Sequence, residues 1–209
     1  MSEYITSSGI SAIVFDLGGV LMNWDPRHLY RKLFDGDEVG MEKFLATVCT
    51  AEWIRQQDMG LPVADAVAHL SRRFPDHAPL IEAYDKRWPE ILAGPIKDTV
   101  SVLAELHQRG MPLYGLTNLP GEKFPALRER LDFLDWFEAV VVSGAVGFAK
   151  PDPEIYIHLL KTYHLVPEST LYIDDVLENV EGAMALGLSA LHFVLPAKLR
   201  SDLADLALL

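Results

Sequence analysis

The chain holds a single cysteine, Cys49, in 209 residues. That count excludes an internal disulfide and a cysteine-rich zinc site. Positive charge is also scarce, with 18 Lys and Arg against 30 Asp and Glu and a formal net charge of -12. Proteins that bind DNA or RNA present a basic face, so nucleic acid is not an expected partner. An anionic small molecule stays open, because one lysine, a metal ion and backbone N–H groups can reverse the field locally. The apolar run over residues 10–21 is broken by Asp16, which removes it as a membrane span. Residues 1–11 contain neither Lys nor Arg, which argues against a secretory leader. The expectation is a soluble cytoplasmic chain with no membrane partner, as a monomer or a homodimer.

What is present is enough apolar material for one sizeable core. Half of the residues are hydrophobic and 23% are charged, a balance unlike that of disordered chains. Ser11-Ala12-Ile13-Val14-Phe15-Asp16 is an almost wholly apolar run ending in a carboxylate and followed by Leu17-Gly18-Gly19. Short unbroken apolar runs suit strands buried on both faces, as in a parallel sheet. Similar runs recur at 112–117, 138–143, 170–174 and 189–194. Helical patterns separate them. Val100, Leu103 and Leu106 are spaced for one helix face and Gly110 follows as a stop. Pro153 opens a second pattern through Ile155, Tyr156, Leu159 and Leu160, and Val180, Ala183, Met184 and Leu186 make a third, closed by Gly187. Leu199, Leu203 and Leu206 mark an amphipathic tail helix over 196–209. Strands alternating with helices predict an α/β fold with a parallel sheet.

Residues 23–94 break that rhythm. They offer helical segments at 26–34, 39–50, 63–74 and 80–92 and no convincing strand. An all-helical insert after the first strand sits near the strands' C-terminal ends, where open α/β sheets bind ligands, so it reads as a lid. Trp24, Trp53 and Trp88 lie in or beside it and are expected in its core rather than in a pocket. His69 and His77 are expected on its helices, with no metal-ligand spacing. Gly18-Gly19 is either an anion-binding nest or a tight turn.

Four segments fall where predicted strands end: Asp16-Leu17-Gly18-Gly19-Val20, Leu116-Thr117-Asn118, Lys150-Pro151-Asp152-Pro153, and Asp174-Asp175-Val176-Leu177-Glu178-Asn179. Each alone has an ordinary reading as a cap, a turn or a solvated charge. In a parallel sheet, however, all four reach one edge, although the outermost are about 160 positions apart.

This ordered set resembles the haloacid dehalogenase superfamily of hydrolases, through Phe15-Asp16-Leu17-Gly18-Gly19-Val20-Leu21, Lys150-Pro151-Asp152-Pro153-Glu154-Ile155-Tyr156, and Ile173-Asp174-Asp175 with Asn179. The resemblance covers nearly the whole chain. It implies a Rossmann-like core over 1–21 and 95–209, helices on both faces of its parallel sheet, and an inserted helical cap over 22–94. It further implies a phosphatase acting on a small phosphorylated metabolite, such as a sugar phosphate. Asp16 would be the nucleophile, forming an aspartyl-phosphate. Mg²⁺ would lie on Asp16, the backbone carbonyl of Gly18 and Asp174, with Asp175 as a further ligand or acting through water. Asn179 would orient those carboxylates. The Thr117 hydroxyl and the Asn118 backbone N–H would hydrogen-bond phosphate oxygens, and Lys150 would neutralise phosphate and Asp16 together.

The chain departs from the family pattern at one place. The usual second aspartate, two residues after the nucleophile, is Gly18 here, so the customary general acid–base is missing. A similar first motif, Asp-Leu-Gly-Asn, marks the α-D-glucose-1-phosphate phosphatase-like group, which this chain resembles. Asp25 and His28 at the start of the insert are candidates for a replacement base, although Asp25-Pro26 also reads as a helix start. Two other readings stay open. One is a 2-haloacid dehalogenase, whose halide leaves without a proton and whose relatives lack the paired acids of the fourth motif. The other is a catalytically weak phosphate-binding regulatory protein.

Overall fold

The computed structural model describes residues 9–209. The reading of residues 1–11 as free of a leader falls, for 1–8, outside the described residues.

The chain enters through β1 (Ala12–Phe15), every residue of which is buried. A tight turn leads to β2 (Met22–Trp24). Five helices follow: α1 (Arg27–Leu33), α2 (Glu38–Thr47), α3 (Ala51–Asp58), α4 (Val63–Arg73) and α5 (Ala78–Lys86). Strand β3 (Leu92–Pro95) then pairs antiparallel with β2. The remainder alternates: α6 (Lys97–Gln108), β4 (Leu113–Thr117), α7 (Phe124–Arg128), β5 (Ala139–Val142), α8 (Ser143–Val146), α9 (Pro153–Thr162), β6 (Thr170–Asp174), α10 (Leu177–Met184), β7 (Ser189–His192) and α11 (Pro196–Asp205).

Five strands form one parallel sheet in the order β5-β4-β1-β6-β7. Phe15 pairs with Gly115 on one side and Ile173 on the other. The strand order therefore reverses at β1, which makes its C-terminal end a topological switch point. Side chains alternate across the strand, as β geometry requires. Ile13, Phe15, Leu171 and Ile173 pack on one face against α6, α11 and the inserted helices. Val14 and Tyr172 pack on the other with Ile155, Leu159 and Val180 of α9 and α10. Burial on both faces explains why these strands are unbroken apolar runs.

The insert differs from its sequence reading in two respects. It is bounded by a two-stranded sheet, although no strand was expected over 23–94. These strands are three and four residues long and only partly buried, too short to show an alternating pattern. The helical segment expected over 39–50 ends earlier, at Thr47, and a further helix starts at Ala51. Thr50 separates them, because its hydroxyl accepts the Trp53 N–H at 3.2 Å and caps α3. The expected segment at 80–92 is likewise divided into α5, one 3₁₀ turn over Trp88–Ile91 and β3.

Trp53 and Trp88 are buried in the core, and Trp53 donates its indole N–H to the Ala66 carbonyl. The tail helix α11 buries Leu199 and Leu203, as its spacing predicted. Among the described residues no helix is long and apolar enough to cross a membrane.

Ile13 is wholly buried at the sheet centre, whereas Val39 on α2 is 82% exposed. Ile13→Ala is expected to lower the unfolding free energy by about 2–5 kcal/mol. Val39→Ala should change it by less than about 0.5 kcal/mol. Urea titration followed by circular dichroism measures both, and similar effects of the two would contradict this account of the core.

Candidate active site

The four strand-end segments meet at the switch point. Asp16 leaves β1 with its N–H on the Ile173 carbonyl at 2.8 Å, which ties the first motif to the fourth. Asp174 ends β6 and Thr117 ends β4. Lys150 arrives from the loop after α8. Its ammonium contacts Asp16 Oδ1 at 2.7 Å and Asp174 Oδ2 at 2.7 Å, and donates to the Leu116 carbonyl at 2.9 Å. Only 2% of that side chain is exposed. A buried charge is costly unless paired and hydrogen-bonded, and here all three ammonium donors have acceptors. Burial works to lower the Lys150 pKa, but Asp16 and Asp174 outweigh it and hold the group charged.

Asp174 is fastened on all sides. Oδ1 accepts the Val176 N–H at 2.8 Å, and the Asn179 amide reaches both oxygens at 3.1 Å. Oδ2 also receives Lys150 and the Tyr172 hydroxyl. Burial and the Asp174 charge raise the Tyr172 pKa well above its ordinary value, so the phenol remains a donor. Asp175 differs. It is exposed and lines the cavity, whereas Asp174 lies behind it.

Oxygens of Asp16, Asp174 and Asp175 all lie within 4.8 Å of one another. Burial first, with Asp174 and Asp175 adding to it and Lys150 opposing, pushes Asp16 up to about 8. Burial and Asp174 also raise Asp175. Three carboxylates against one ammonium leave two negative charges uncompensated when all are ionised. An all-oxygen set with that excess fits a hard divalent cation such as Mg²⁺. Gly18 lines the same cavity.

The glycine pair is a tight turn. Gly19 has φ +81° and donates its N–H to the Met22 carbonyl at 2.8 Å, so that donor is not aimed at a ligand. A Cβ on Gly19 would fall 2.1 Å from Asp175 Oδ2, and only glycine admits the carboxylate there. Gly18 is less confined, since a Cβ there would meet only the Cβ of Trp24, at 3.7 Å.

Asn118 links the second and third motifs. Its amide donates to the Lys150 carbonyl at 3.0 Å and accepts the Lys150 N–H at 2.9 Å. Arg55 of α3 donates to that carbonyl at 2.8 Å and to Asp152 Oδ2 at 2.6 Å, clamping the insert onto the third motif. The Lys123 ammonium and Asp85 carboxylate make a second bridge between insert and core.

These elements enclose a cavity of about 850 Å³. Asp16, Gly18, Thr117, Asn118, Lys150, Asp175 and Asn179 lie on its sheet side. Met22, Trp24, Leu45, Cys49, Ile54 and Asp58 are among the residues lining the rest. Trp24 is thus a cavity residue, unlike Trp53 and Trp88.

Asp25 lines the cavity, but its carboxylate accepts the Arg27 N–H at 2.9 Å at the start of α1 and contacts the Arg27 guanidinium. His28 meets Asn23 at 3.1 Å and is not among the cavity residues. His77 stacks edge-on against Phe44, at 5.6 Å between ring centroids. Arg55 and Asp58 were missed because α3 itself was not foreseen.

A family model described as haloacid dehalogenase-like hydrolase matches residues 10–187. The chain belongs to this hydrolase family. It is 34% identical over 182 residues to a sesquiterpene phosphatase of Aspergillus oryzae, covering 87% of this chain and 88% of that protein. It is 25% identical to a phosphorylated carbohydrates phosphatase of Thermotoga maritima, over 88% and 85% of the two chains. A family enzyme of Bacteroides thetaiotaomicron, solved with magnesium and inorganic phosphate, superposes with a TM-score of 0.67 at 25% identity, over 88% and 93%.

Gly19→Ala should displace Asp175 and weaken Mg²⁺ binding by about tenfold or more, since changes around metal ligands commonly have that effect. Titration calorimetry on folded protein measures this. Unchanged affinity would remove Asp175 from the cation site.

Proposed function

We propose that this hydrolase is a Mg²⁺-dependent phosphomonoesterase working through an aspartyl-phosphate on Asp16. The observation that carries the reading is the Lys150 ammonium bridging Asp16 and Asp174 at the edge of the cavity. Residues 1–21 and 95–209 serve as the hydrolase core, and 22–94 as the cap. A single thiol suits a reducing compartment such as the cytoplasm.

Asp16 attacks phosphorus, which divides one difficult displacement into two easier ones. Lys150 holds the attacking carboxylate in place and offsets charge as it approaches an anionic ester. The Thr117 hydroxyl and the Asn118 backbone N–H bind phosphate oxygens, while the Asn118 side chain stays on the Lys150 backbone. Asp16, Asp175 and the Gly18 carbonyl would hold Mg²⁺, supported by the Bacteroides enzyme solved with magnesium and phosphate. When bound, the ion supplies Lewis-acid polarisation of the phosphoryl oxygens. The hydrogen bonds on Asp174 favour a different role from the direct ligation first expected. Asp174 would hold Lys150 in place and Asp175 would meet the ion, with Asn179 fixing Asp174.

Met22, Trp24, Leu45, Ile54 and Leu119 give the cavity an apolar wall. This supports a phosphate ester of an alcohol with a hydrocarbon face, consistent with the Aspergillus sesquiterpene phosphatase. A sugar phosphate is the second reading. It is favoured by Arg27 and Glu42, which also line the cavity and can meet hydroxyl groups, and by the Thermotoga relative.

The wild type should release phosphate from a terpenyl monophosphate and an aryl phosphate only with Mg²⁺, and release no halide from a 2-haloacid. Asp16→Asn should reduce phosphate release to background in protein that remains folded, with a melting temperature lowered by the loss of one Lys150 partner. Metal-independent halide release would select the dehalogenase reading, and turnover near wild type in Asp16→Asn would discard this mechanism.

A further inference from the structure

We infer that Asp58 of the insert, facing the cavity from the end of α3, carries the proton to and from the reacting oxygen, the task for which Gly18 has no side chain. The inference rests on the phosphatase reading. It begins from a process of elimination among the cavity's acids. Asp16 and Asp175 belong to the proposed cation site, and the Arg27 guanidinium occupies Asp25 and Glu42. Glu52 is solvent-exposed, and burial pushes the Cys49 thiol up to about 12, leaving it a poor acid. Asp58 remains. It is half-buried and lines the cavity, and its carboxylate has no hydrogen bond or ion pair among the described residues.

Its surroundings suit a group that alternates between acid and carboxylate. Burial raises its pKa to about 7, with Lys150 and Arg55 opposing. The Tyr84 hydroxyl of α5 also senses its charge. As the last residue of α3, Asp58 lies at the helix end whose dipole disfavours an anion. An acid–base group works best with a pKa near the working pH. Arg55, three residues earlier, is fixed to the Lys150 carbonyl and Asp152, so the end of α3 is held against the catalytic edge. Arg55 is therefore a positioning residue.

In-line displacement places the leaving oxygen opposite the attacking one. Asp16 attacks from the sheet side, so the leaving oxygen points toward the insert. As the Asp16–phosphorus bond forms and the ester P–O bond breaks, the carboxylic proton of Asp58 passes to the departing oxygen and the alcohol leaves. The resulting Asp58 carboxylate accepts a proton from the water that attacks the aspartyl-phosphate. The P–O bond to Asp16 breaks, inorganic phosphate leaves, and both side chains return to their starting states.

The test compares kcat/KM of wild type and Asp58→Asn on hexyl phosphate, a poor leaving group, and on p-nitrophenyl phosphate, a good one. The expected loss is about 10²-fold or more for hexyl phosphate and less than about tenfold for the aryl ester. The fall in wild-type hexyl phosphate activity above about pH 7 should vanish in the variant. Unchanged melting temperature and calorimetric Mg²⁺ affinity would show that fold and cation site survive. Equal losses on both esters, or none, would overturn the role of Asp58 alone. A wild type that cleaves neither ester would overturn the phosphatase reading and this inference with it.

Discussion

A lysine ammonium sealed between two carboxylates at a sheet edge is the constraint around which the site is arranged. Lys150 draws its three acceptors from Asp16, Asp174 and the β4 backbone at Leu116. Those contacts exist only if β1, β4 and β6 are adjacent, parallel and in register. Removing one carboxylate would leave a buried charge partly unpaired, and losses of that kind cost about 3–5 kcal/mol. The charge that prepares the site for an anionic substrate thus also fastens three strands together. Tyr172 and Asn179 extend the arrangement by holding Asp174 from behind, which leaves Asp175 toward the cavity.

The insert completes what the sheet edge begins. One cluster of buried residues runs from Ile13 and Phe15 through Leu21 and Met22 to Tyr30, Phe44, Trp53 and Tyr84. The helices are therefore packed continuously with the sheet face, and the Arg55 contacts add a polar tie at the catalytic edge itself. Such a tie positions helix side chains against the reacting atoms, where small displacements are costly. The insert also supplies much of the apolar lining, through Trp24, Leu45 and Ile54.

Parts of this architecture were legible in the residues. Strands β1, β4 and β6 are buried on both faces, so each is an apolar run ending in a polar residue, and the runs alone indicated a parallel sheet. The motif residues Asp16, Thr117, Asn118, Lys150, Asp174 and Asp175 come together because parallel strands share one C-terminal edge. The order of Asp174 and Asp175 was not legible, since it depends on the Tyr172 hydroxyl and the Val176 N–H, contacts that spacing does not reveal. Strands β2 and β3 were too short for periodicity to register. Helix α3 was hidden because Thr50 caps it within what read as the end of the preceding helix. With α3 went Arg55 and Asp58, whose chemistry depends on where that helix is docked.

The claim at the centre is covalent phosphoryl transfer to Asp16. Acid quenching during turnover of an aryl phosphate with Mg²⁺, followed by peptide mass spectrometry, tests it most directly. The account predicts a phosphoryl group on the peptide containing Asp16, at that carboxylate. Steady phosphate release with that peptide unmodified at every quench time, or with the phosphoryl group on another residue, would contradict it.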